Sequence, residues 1–261
     1  LLMYQVPTIN IVLQRMLSKA QNKYIRSLTQ QKFRDEYNVF TAEGEKIATE
    51  WLRSNMPIQM ILTTSEWADA NKKLISRHPE AVHHIVKDHE LSSISSLQTA
   101  NHVMLVVPKP IAKSMPVFTE WSIALDGIQD PGNMGTIMRI ADWFGINHII
   151  CSPGCVDIYN PKVVQSAMGG HLRVNVYEAD LVSILPNVTI PKIAATLEGE
   201  NIYKIRRPAA GILIIGNESK GISPAVARLA DNCVTIPRKG GAESLNAGVS
   251  AGILCALLLQ G

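Results

Sequence analysis

The stretch DGIQDPGNMGTIMRIADWFG at residues 126–145 decides the fold class of this chain. It overlaps the end of an apolar run and continues into a helical pattern, so it predicts a strand, a polar turn and a helix in succession. Two more polar, glycine-containing segments follow apolar runs: IIGNESKGIS at 214–223 and IPRKGGAESLNAGVSAGIL at 236–254. Loops at the carboxyl ends of parallel strands bind ligands in open α/β sheets. The three segments therefore predict one composite binding site.

The rest of the chain alternates apolar runs with helical patterns. In the second half five runs are typical of buried strands: WSIALDG, INHIICSPG, PKIAATL, GILIIGN and CVTIP. This alternation predicts a parallel sheet with right-handed crossovers. In the first half IQMILTTSE, AVHHIVKDH and HVMLVVP are typical of strands, and a helix has Ile47, Trp51 and Leu52 at core spacing. The sequence thus predicts two successive α/β domains.

A segment with three prolines and two lysines, PKPIAKSMP at 108–116, has the composition of a linker. We therefore expect a small α/β domain over 16–108, a linker over 109–118 and a second domain over 119–261. Residues 1–15 differ in pattern and precede a plausible start at Met16, so we expect an extension or a disordered leader there.

The composition, 46% hydrophobic and 18% charged, is that of a well-packed globular protein. The apolar stretch 247–259 is too short to span a bilayer and no signal peptide is evident, so we expect a cytoplasmic protein without a membrane partner. The four cysteines and seven histidines show no metal-ligand spacing, which predicts free thiols and no metal site.

The formal net charge of +3 is too small to indicate nucleic-acid binding by itself. The basic excess lies in the first half, where residues 15–34 hold six basic side chains and no acid: Arg15, Lys19, Lys23, Arg26, Lys32 and Arg34. Such a stretch can contact phosphates, and it can equally be the solvated face of a helix.

Each polar segment offers candidate site residues, and each has a purely structural alternative. We expect a helix over 136–144 with Arg139 near its amino end and Asn133 as its cap or as a support for the loop, and the alternative is a surface arginine on a capped helix. Glu218 follows a buried strand and can pair with an arginine or accept from a hydroxyl, or simply cap a turn. Ser244 and Asn246 precede a long apolar helix, where they can cap it or bind a ribose.

Sequence motifs for phosphate binding, GxxxxGK[ST] and GxGxxG, are absent from the chain. A nucleotide-like ligand would therefore be held by backbone amides and carbonyls of the three segments.

The three segments together resemble the motifs of the SpoU (TrmH-type) RNA ribose 2'-O-methyltransferases of the SPOUT superfamily. DPGNMGTIMRIADWFG is similar to the first motif, GNESKGIS to the second and IPRKGGAESLNAG to the third. NPKVVQSAMGGHLRV at 160–174 resembles the segment between the first two, with Gln165 at an often basic position. KYIRSLTQQKFRDEYNVFTAEGEK is similar to the family's substrate-binding domain, a ribosomal-protein-like α/β fold.

The resemblance implies a parallel-sheet α/β methyltransferase domain with a trefoil knot, preceded by the small substrate-binding domain. It implies S-adenosyl-L-methionine as cofactor, a homodimer, and structured RNA as partner, with ribosomal RNA favoured over transfer RNA. The implied catalytic residues are Arg139, Asn133, Glu218, Ser244 and Asn246. The implied cofactor-binding residues are Leu197, Gly216, Ile236, Leu245 and Asn246.

Within this resemblance Arg139 is expected to hold a phosphate and stabilise a developing alkoxide, because a guanidinium does not readily lose a proton. Three alternatives stay open at this point. They are a transfer-RNA ribose methyltransferase, a base methyltransferase, and a non-catalytic RNA-binding or ribosome-assembly protein of the same fold.

Overall fold

The computed structural model describes residues 14–15, 17–97, 101–111 and 113–259. Contacts between Cα atoms divide the chain into two compact units, 1–110 and 111–261. Each unit has its own sheet and its own buried core.

Unit 1 is a five-stranded mixed sheet with short helices. Its elements are β1 (Gln14–Arg15), α1 (Lys19–Ser27), α2 (Gln31–Tyr37), β2 (Val39–Glu43), α3 (Glu45–Arg53), β3 (Met60–Thr63), α4 (Ser65–Ala70), α5 (Lys72–Ile75), β4 (Val82–Ile85), α6 (Asp88–Ile94) and β5 (Val103–Pro108). The strand order is β1-β4-β3-β5-β2, in which β5 runs antiparallel to both of its neighbours and the other pairs are parallel.

The predicted strands of unit 1 are present, and so is the predicted helix. On α3 the side chains of Ile47, Trp51 and Leu52 are all buried, because their spacing puts them on one face of the helix. The leader expected over 1–15 lies mostly outside the described residues. Its last two residues, Gln14–Arg15, pair with β4 and so belong to the sheet.

Unit 2 is a six-stranded sheet with helices between the strands. Its elements are β6 (Ser122–Asp126), α7 (Pro131–Trp143), β7 (His148–Cys151), α8 (Pro161–Ala167), β8 (Asn175–Glu178), α9 (Leu181–Ile184), β9 (Lys192–Asn201), β10 (Ile212–Gly216), α10 (Pro224–Ala227), β11 (Asn232–Thr235) and α11 (Ala247–Leu258). The strand order is β11-β9-β10-β6-β7-β8, and each strand runs parallel to its neighbours. The predicted parallel α/β architecture is confirmed.

The prediction of five strands in this unit is wrong by one, because β8 was not expected. Its sequence Asn-Val-Tyr-Glu has no apolar run, and only Tyr177 among its four side chains is buried. β8 is at the edge of the sheet and therefore needs little apolar surface.

The strand order brings the three polar segments together at the carboxyl ends of the parallel strands. β6 and β10 are neighbours at its centre, and β9 separates β10 from β11. Because all these strands are parallel, the loops that follow β6, β10 and β11 leave from the same edge. In the part of the chain that the structure describes, no helix is long and apolar enough to cross a membrane.

Candidate active site

The first segment enters its helix earlier than predicted. α7 begins at Pro131, five residues before the expected start, and its cap is Asp130 rather than Asn133. The Asp130 carboxylate accepts from the backbone N–H of Asn133 at 2.8 Å. Proline at the first helical position is favoured because its missing N–H has no partner there in any case. Asn133 therefore lies inside the first turn, with its side chain free for contacts outside the helix.

The Asn133 side chain joins all three polar segments. Its Nδ2 donates to Glu218 Oε1 at 2.8 Å, and its Oδ1 accepts from Asn246 Nδ2 at 2.7 Å. Asn246 Oδ1 in turn accepts from the backbone N–H of Val249 at 3.1 Å and so caps α11. An ionised carboxylate can only accept, which fixes the orientation of both amides. We call the side chains of Glu218, Asn133 and Asn246 the amide bridge.

A second set of contacts ties the β6 and β10 loops together. Asn217 Nδ2 donates to the Gly127 carbonyl at 2.7 Å, while its Oδ1 accepts from the backbone N–H groups of Ser219 and Lys220 at 2.9 and 3.0 Å. Sequence reasoning did not select Asn217. An asparagine at the start of a glycine-containing turn was the signal available, because such side chains bond to the backbone two residues on.

Gly216 ends β10 where the chain folds closely back on itself. A Cβ atom at this position would lie 2.2 Å from the backbone nitrogen of Ile222. Asn217 and Gly221 also exchange backbone hydrogen bonds at 3.0 and 2.9 Å across this turn. The turn is therefore built for a residue without a side chain.

A cavity of about 970 Å³ opens between the second and third segments. Its lining comprises residues 195–197, 215–222, 227, 234–240, 242–245, 247, 250 and 254. Four of the expected cofactor-binding residues line it, namely Leu197, Gly216, Ile236 and Leu245. Glu218 and Ser244 line it as well. The fifth, Asn246, belongs to the amide bridge behind the lining.

Two large apolar side chains of the cavity face solvent. Leu197 is 72% exposed and Leu245 is 48% exposed. Beside Leu197 the chain supplies polar backbone: the Thr235 hydroxyl donates to the Leu197 carbonyl at 3.1 Å. A ligand with an apolar flat part and a polar rim would cover both kinds of surface.

The structure does not bring Arg139 into this cavity. Arg139 is exposed in the third turn of α7, not near its amino end. It follows Asn133 by six residues, which at about 100° per residue places the two side chains on different faces of the helix. Trp143, one turn further on, is 84% exposed. Arg139 and Trp143 therefore share an exposed face outside the amide bridge.

Cys151 and Cys155 lie at the end of β7, outside the cavity lining. The Cys155 thiol donates to the Leu125 carbonyl at 3.3 Å. A hydrogen bond from Cys151 lowers the pKa of Cys155 to about 7, and the same bond with burial raises the pKa of Cys151 well above its usual value. All four cysteines are free thiols. Among the described residues, no group of three or more His, Cys, Asp or Glu is placed to hold a metal ion.

A parallel α/β unit with a composite cavity at the carboxyl edge of its sheet has the architecture of a nucleotide-type ligand-binding domain. The chain belongs to the SpoU rRNA Methylase family, whose model matches residues 120–256. A second model, the MRM3-like substrate binding domain, matches residues 19–105. The predicted family membership is confirmed.

Relatives and solved structures match nearly the whole chain. The 23S rRNA (guanosine(2553)-2'-O)-methyltransferase of Bacillus subtilis is 27% identical over 92% of this chain and 97% of its own. A TrmH-family putative RNA methyltransferase from Porphyromonas gingivalis is 34% identical, with a TM-score of 0.81 over 93% of this chain and 98% of that one. An AdoMet-bound rRNA methyltransferase from Sinorhizobium meliloti is 26% identical, with a TM-score of 0.81 over 94% and 97%.

Proposed function

We propose that the chain is an S-adenosylmethionine-dependent methyltransferase that acts on a ribose 2'-hydroxyl of ribosomal RNA. The observation that carries this is the amide bridge, which joins the three motif segments beside one cavity. The B. subtilis relative is named as a 2'-O-methyltransferase of 23S rRNA, and it aligns over both units of this chain. In this proposal residues 16–108 select the RNA and residues 119–261 carry the chemistry.

The cavity residues suit S-adenosylmethionine. Leu197, Ile236 and Leu245 offer apolar surface to an adenine ring, and the turn after Gly216 offers backbone groups without a side chain in the way. Asn246 supports the site from behind by holding Asn133. When bound there, the cofactor supplies a methyl group on a sulfonium. The S. meliloti structure is described as AdoMet-bound, which supports the same assignment.

Glu218 is an acidic residue of the cavity lining that a hydrogen bond from Asn133 holds in place. Its carboxylate accepts from Asn133 through one oxygen, so the position of the other is defined as well. A carboxylate held in this way can orient an arginine or accept the proton of a ribose hydroxyl. Ser244 belongs to the lining too, in the third segment, where its hydroxyl can hydrogen-bond to ribose or to the methionine part of the cofactor.

The exposed face of α7 and α11 supports a homodimer. These helices contact each other, and α11 is apolar around its whole circumference. Trp143 is 84% exposed and Val249 50% exposed, which is a large apolar area for a free surface. In the dimer, Arg139 lies at this interface, where it can hold the phosphate beside the reacting ribose and stabilise the alkoxide in the partner's site.

Two further parts of the proposal concern the chain path and the location. β11 is at one edge of the sheet, yet α11 returns to contact α7 and β10 nearer the centre. This return supports a trefoil knot formed by the third segment. The bacterial relative supports a cytoplasmic location.

The experiment that tests the function measures the transfer of a labelled methyl group from S-adenosylmethionine to total RNA. The RNA is taken from cells that lack this protein. We expect label in alkali-stable dinucleotides of ribosomal RNA, because a methylated 2'-oxygen cannot attack the neighbouring phosphodiester. Arg139→Ala should abolish the label while leaving cofactor affinity unchanged, and Arg139→Lys serves as its matched control for charge. Label in transfer RNA would refute the ribosomal assignment. Absence of cofactor binding would refute the function itself.

A further inference from the structure

Unit 1 carries a cluster of three aromatic rings on its first two helices. The ring of Tyr37 meets the ring of Tyr24 edge to face at a centroid distance of 5.0 Å, and it lies nearly parallel to the ring of Phe33 at 6.2 Å. We call Tyr24, Phe33 and Tyr37 the aromatic ledge. Tyr37 is 43% exposed, whereas the other two rings are half-buried. The ledge therefore presents one ring to solvent and supports it with two others.

The exposed ring is held in place from both sides. Tyr24 packs against the core of unit 1, and its hydroxyl donates to Gln59 Oε1 at 3.3 Å. Tyr37 is the last residue of α2, and Asn38 ends the helix in a left-handed conformation with φ 53°. This turn takes the chain directly into β2. A preorganised ring loses little conformational entropy when it binds a ligand.

The two helices that carry the ledge also carry basic side chains. Lys19, Lys23 and Arg26 recur at helical spacing within about 60° on the exposed face of α1. On α2, Lys32 places its Nζ 4.6 Å above the ring of Phe33. Residues 15–34 contain no acid. Tyr24 lies about 100–160° around α1 from Lys19, Lys23 and Arg26, so Lys32 is the basic group that a contact places at the ring cluster.

The four exposed basic side chains of α1 and α2 outnumber the two acids of α2. Asp35 is paired with Lys109 at 2.5 Å, which leaves Glu36 as the other acid of that helix. The surface combines positive charge with an accessible π face. That combination matches a nucleotide, which has an anionic phosphate and a flat base.

We propose that Tyr37, supported by Tyr24 and Phe33, is a stacking platform for an unpaired base of RNA, with Lys32 contacting a flanking phosphate. The choice of RNA as the ligand rests on the proposed function. Paired bases do not expose their faces, so the site selects a loop, bulge or strand end. It would fix the position of the RNA on unit 1.

The test measures the affinity of the chain of residues 1–261 for RNA by fluorescence anisotropy. Two fluorescein-labelled RNAs are compared: a single-stranded oligoadenylate of ten nucleotides and a duplex of equal length. Tyr37→Ala should weaken binding of the single strand about tenfold or more, because loss of one stacked base costs that much. Tyr37→Phe, the matched control, keeps the ring and should bind like the wild type. Duplex binding should change less than twofold in either variant.

A second variant tests the charge at the ring cluster. Lys32→Gln should reduce the slope of log affinity against log salt by about 0.7 for a single strand, since each phosphate contact contributes about that much. Circular dichroism confirms that each variant is folded. Single-strand affinity of Tyr37→Ala within twofold of wild type would overturn the proposal, as would an equal loss on the duplex.

Methyl transfer is measured in parallel and separates the two proposals. If wild type transfers methyl but Tyr37→Ala binds the single strand normally, only the stacking platform is refuted. If wild type transfers none yet its binding to the single strand depends on Tyr37, the platform stands and the catalytic proposal fails.

Discussion

Asn133→Asp places a second carboxylate against Glu218, where an amide Nδ2 now donates across 2.8 Å. The variant loses a hydrogen bond to a charged group, which contributes about 1.5–3 kcal/mol. Two unit charges about 4 Å apart repel by about 1–4 kcal/mol between the limits of bulk water and a protein surface. Since Glu218 is half-buried and can rotate towards water, we expect the smaller repulsion and a total loss of about 3 kcal/mol.

The effect should be local and is best measured by hydrogen–deuterium exchange of peptides from the second and third segments. A loss of about 3 kcal/mol corresponds to roughly a hundredfold faster exchange where opening is local. The repulsion raises the pKa of one of the two carboxyls. A carboxyl whose pKa is higher in the folded than in the unfolded state stabilises the fold only at pH values below its unfolded pKa. The loss of stability caused by Asn133→Asp should therefore shrink towards about pH 4 and grow as the pH rises.

The double variant Asn133→Asp/Glu218→Gln exchanges donor and acceptor. The new amide at 218 donates to the new carboxylate at 133, which still accepts from Asn246 Nδ2 as the wild-type oxygen does. The rate of hydrogen–deuterium exchange in the second and third segments should return to within about threefold of the wild-type rate. Methyl transfer should stay low, because the cavity has lost the Glu218 carboxylate. If the single variant exchanges like wild type, or if the double variant is no better than the single one, the amide bridge does not hold the segments together.

Three further predictions concern other parts of the chain. Gly216→Ala should destabilise unit 2 by about 2 kcal/mol and weaken cofactor binding, because the new Cβ would lie 2.2 Å from a backbone nitrogen. Gly241→Ala, outside the cavity lining, enters open space and should have no effect in the same calorimetric titration. Alkylation of Cys155 by iodoacetamide should show a midpoint near its pKa of about 7, and a midpoint near 9 would contradict the Cys151 contact. Burial lowers the pKa of His83, so the stability that the neutral imidazole contributes is present above the unfolded pKa and is lost as the pH falls. Replacing it in His83→Gln should therefore make the urea midpoint depend less on pH on the acid side. An unchanged dependence of the urea midpoint on pH would refute this.

Periodicity was sufficient to predict most of the architecture. Buried strands such as β10 are continuous apolar runs, and a helix such as α3 places its core residues at regular spacing. Periodicity failed to predict elements that bury few side chains and elements whose local sequence signals conflict. β8 buries one side chain, and the first two turns of α7 contain Gly132 and Gly135, which are poor helix formers although Asp130 and Pro131 start the helix well.

The candidate site was predictable as a set of loops but not as a set of contacts. The sequence shows that Asn133, Glu218 and Asn246 follow strands, and parallel strands bring such loops together. It does not show which amide bonds to which carboxylate, because that depends on helix start and strand register. The position of Arg139 depends on the same helix start. Asn133, which was expected to cap the helix, is instead the central residue of the amide bridge, because Asp130 caps the helix.

The pairing of β6 with β10 constrains how the chain can fold during synthesis. β5 completes the sheet of unit 1 at Pro108, so that unit has all its strands early in translation. β6 must wait for β10, which ends at Gly216, and most of unit 2 is made in between. Until then the ribosome carries an apolar central strand with one side unpaired, which is an aggregation hazard. A nascent chain halted before β10 should therefore contain a folded first unit and a second that requires a chaperone to remain soluble.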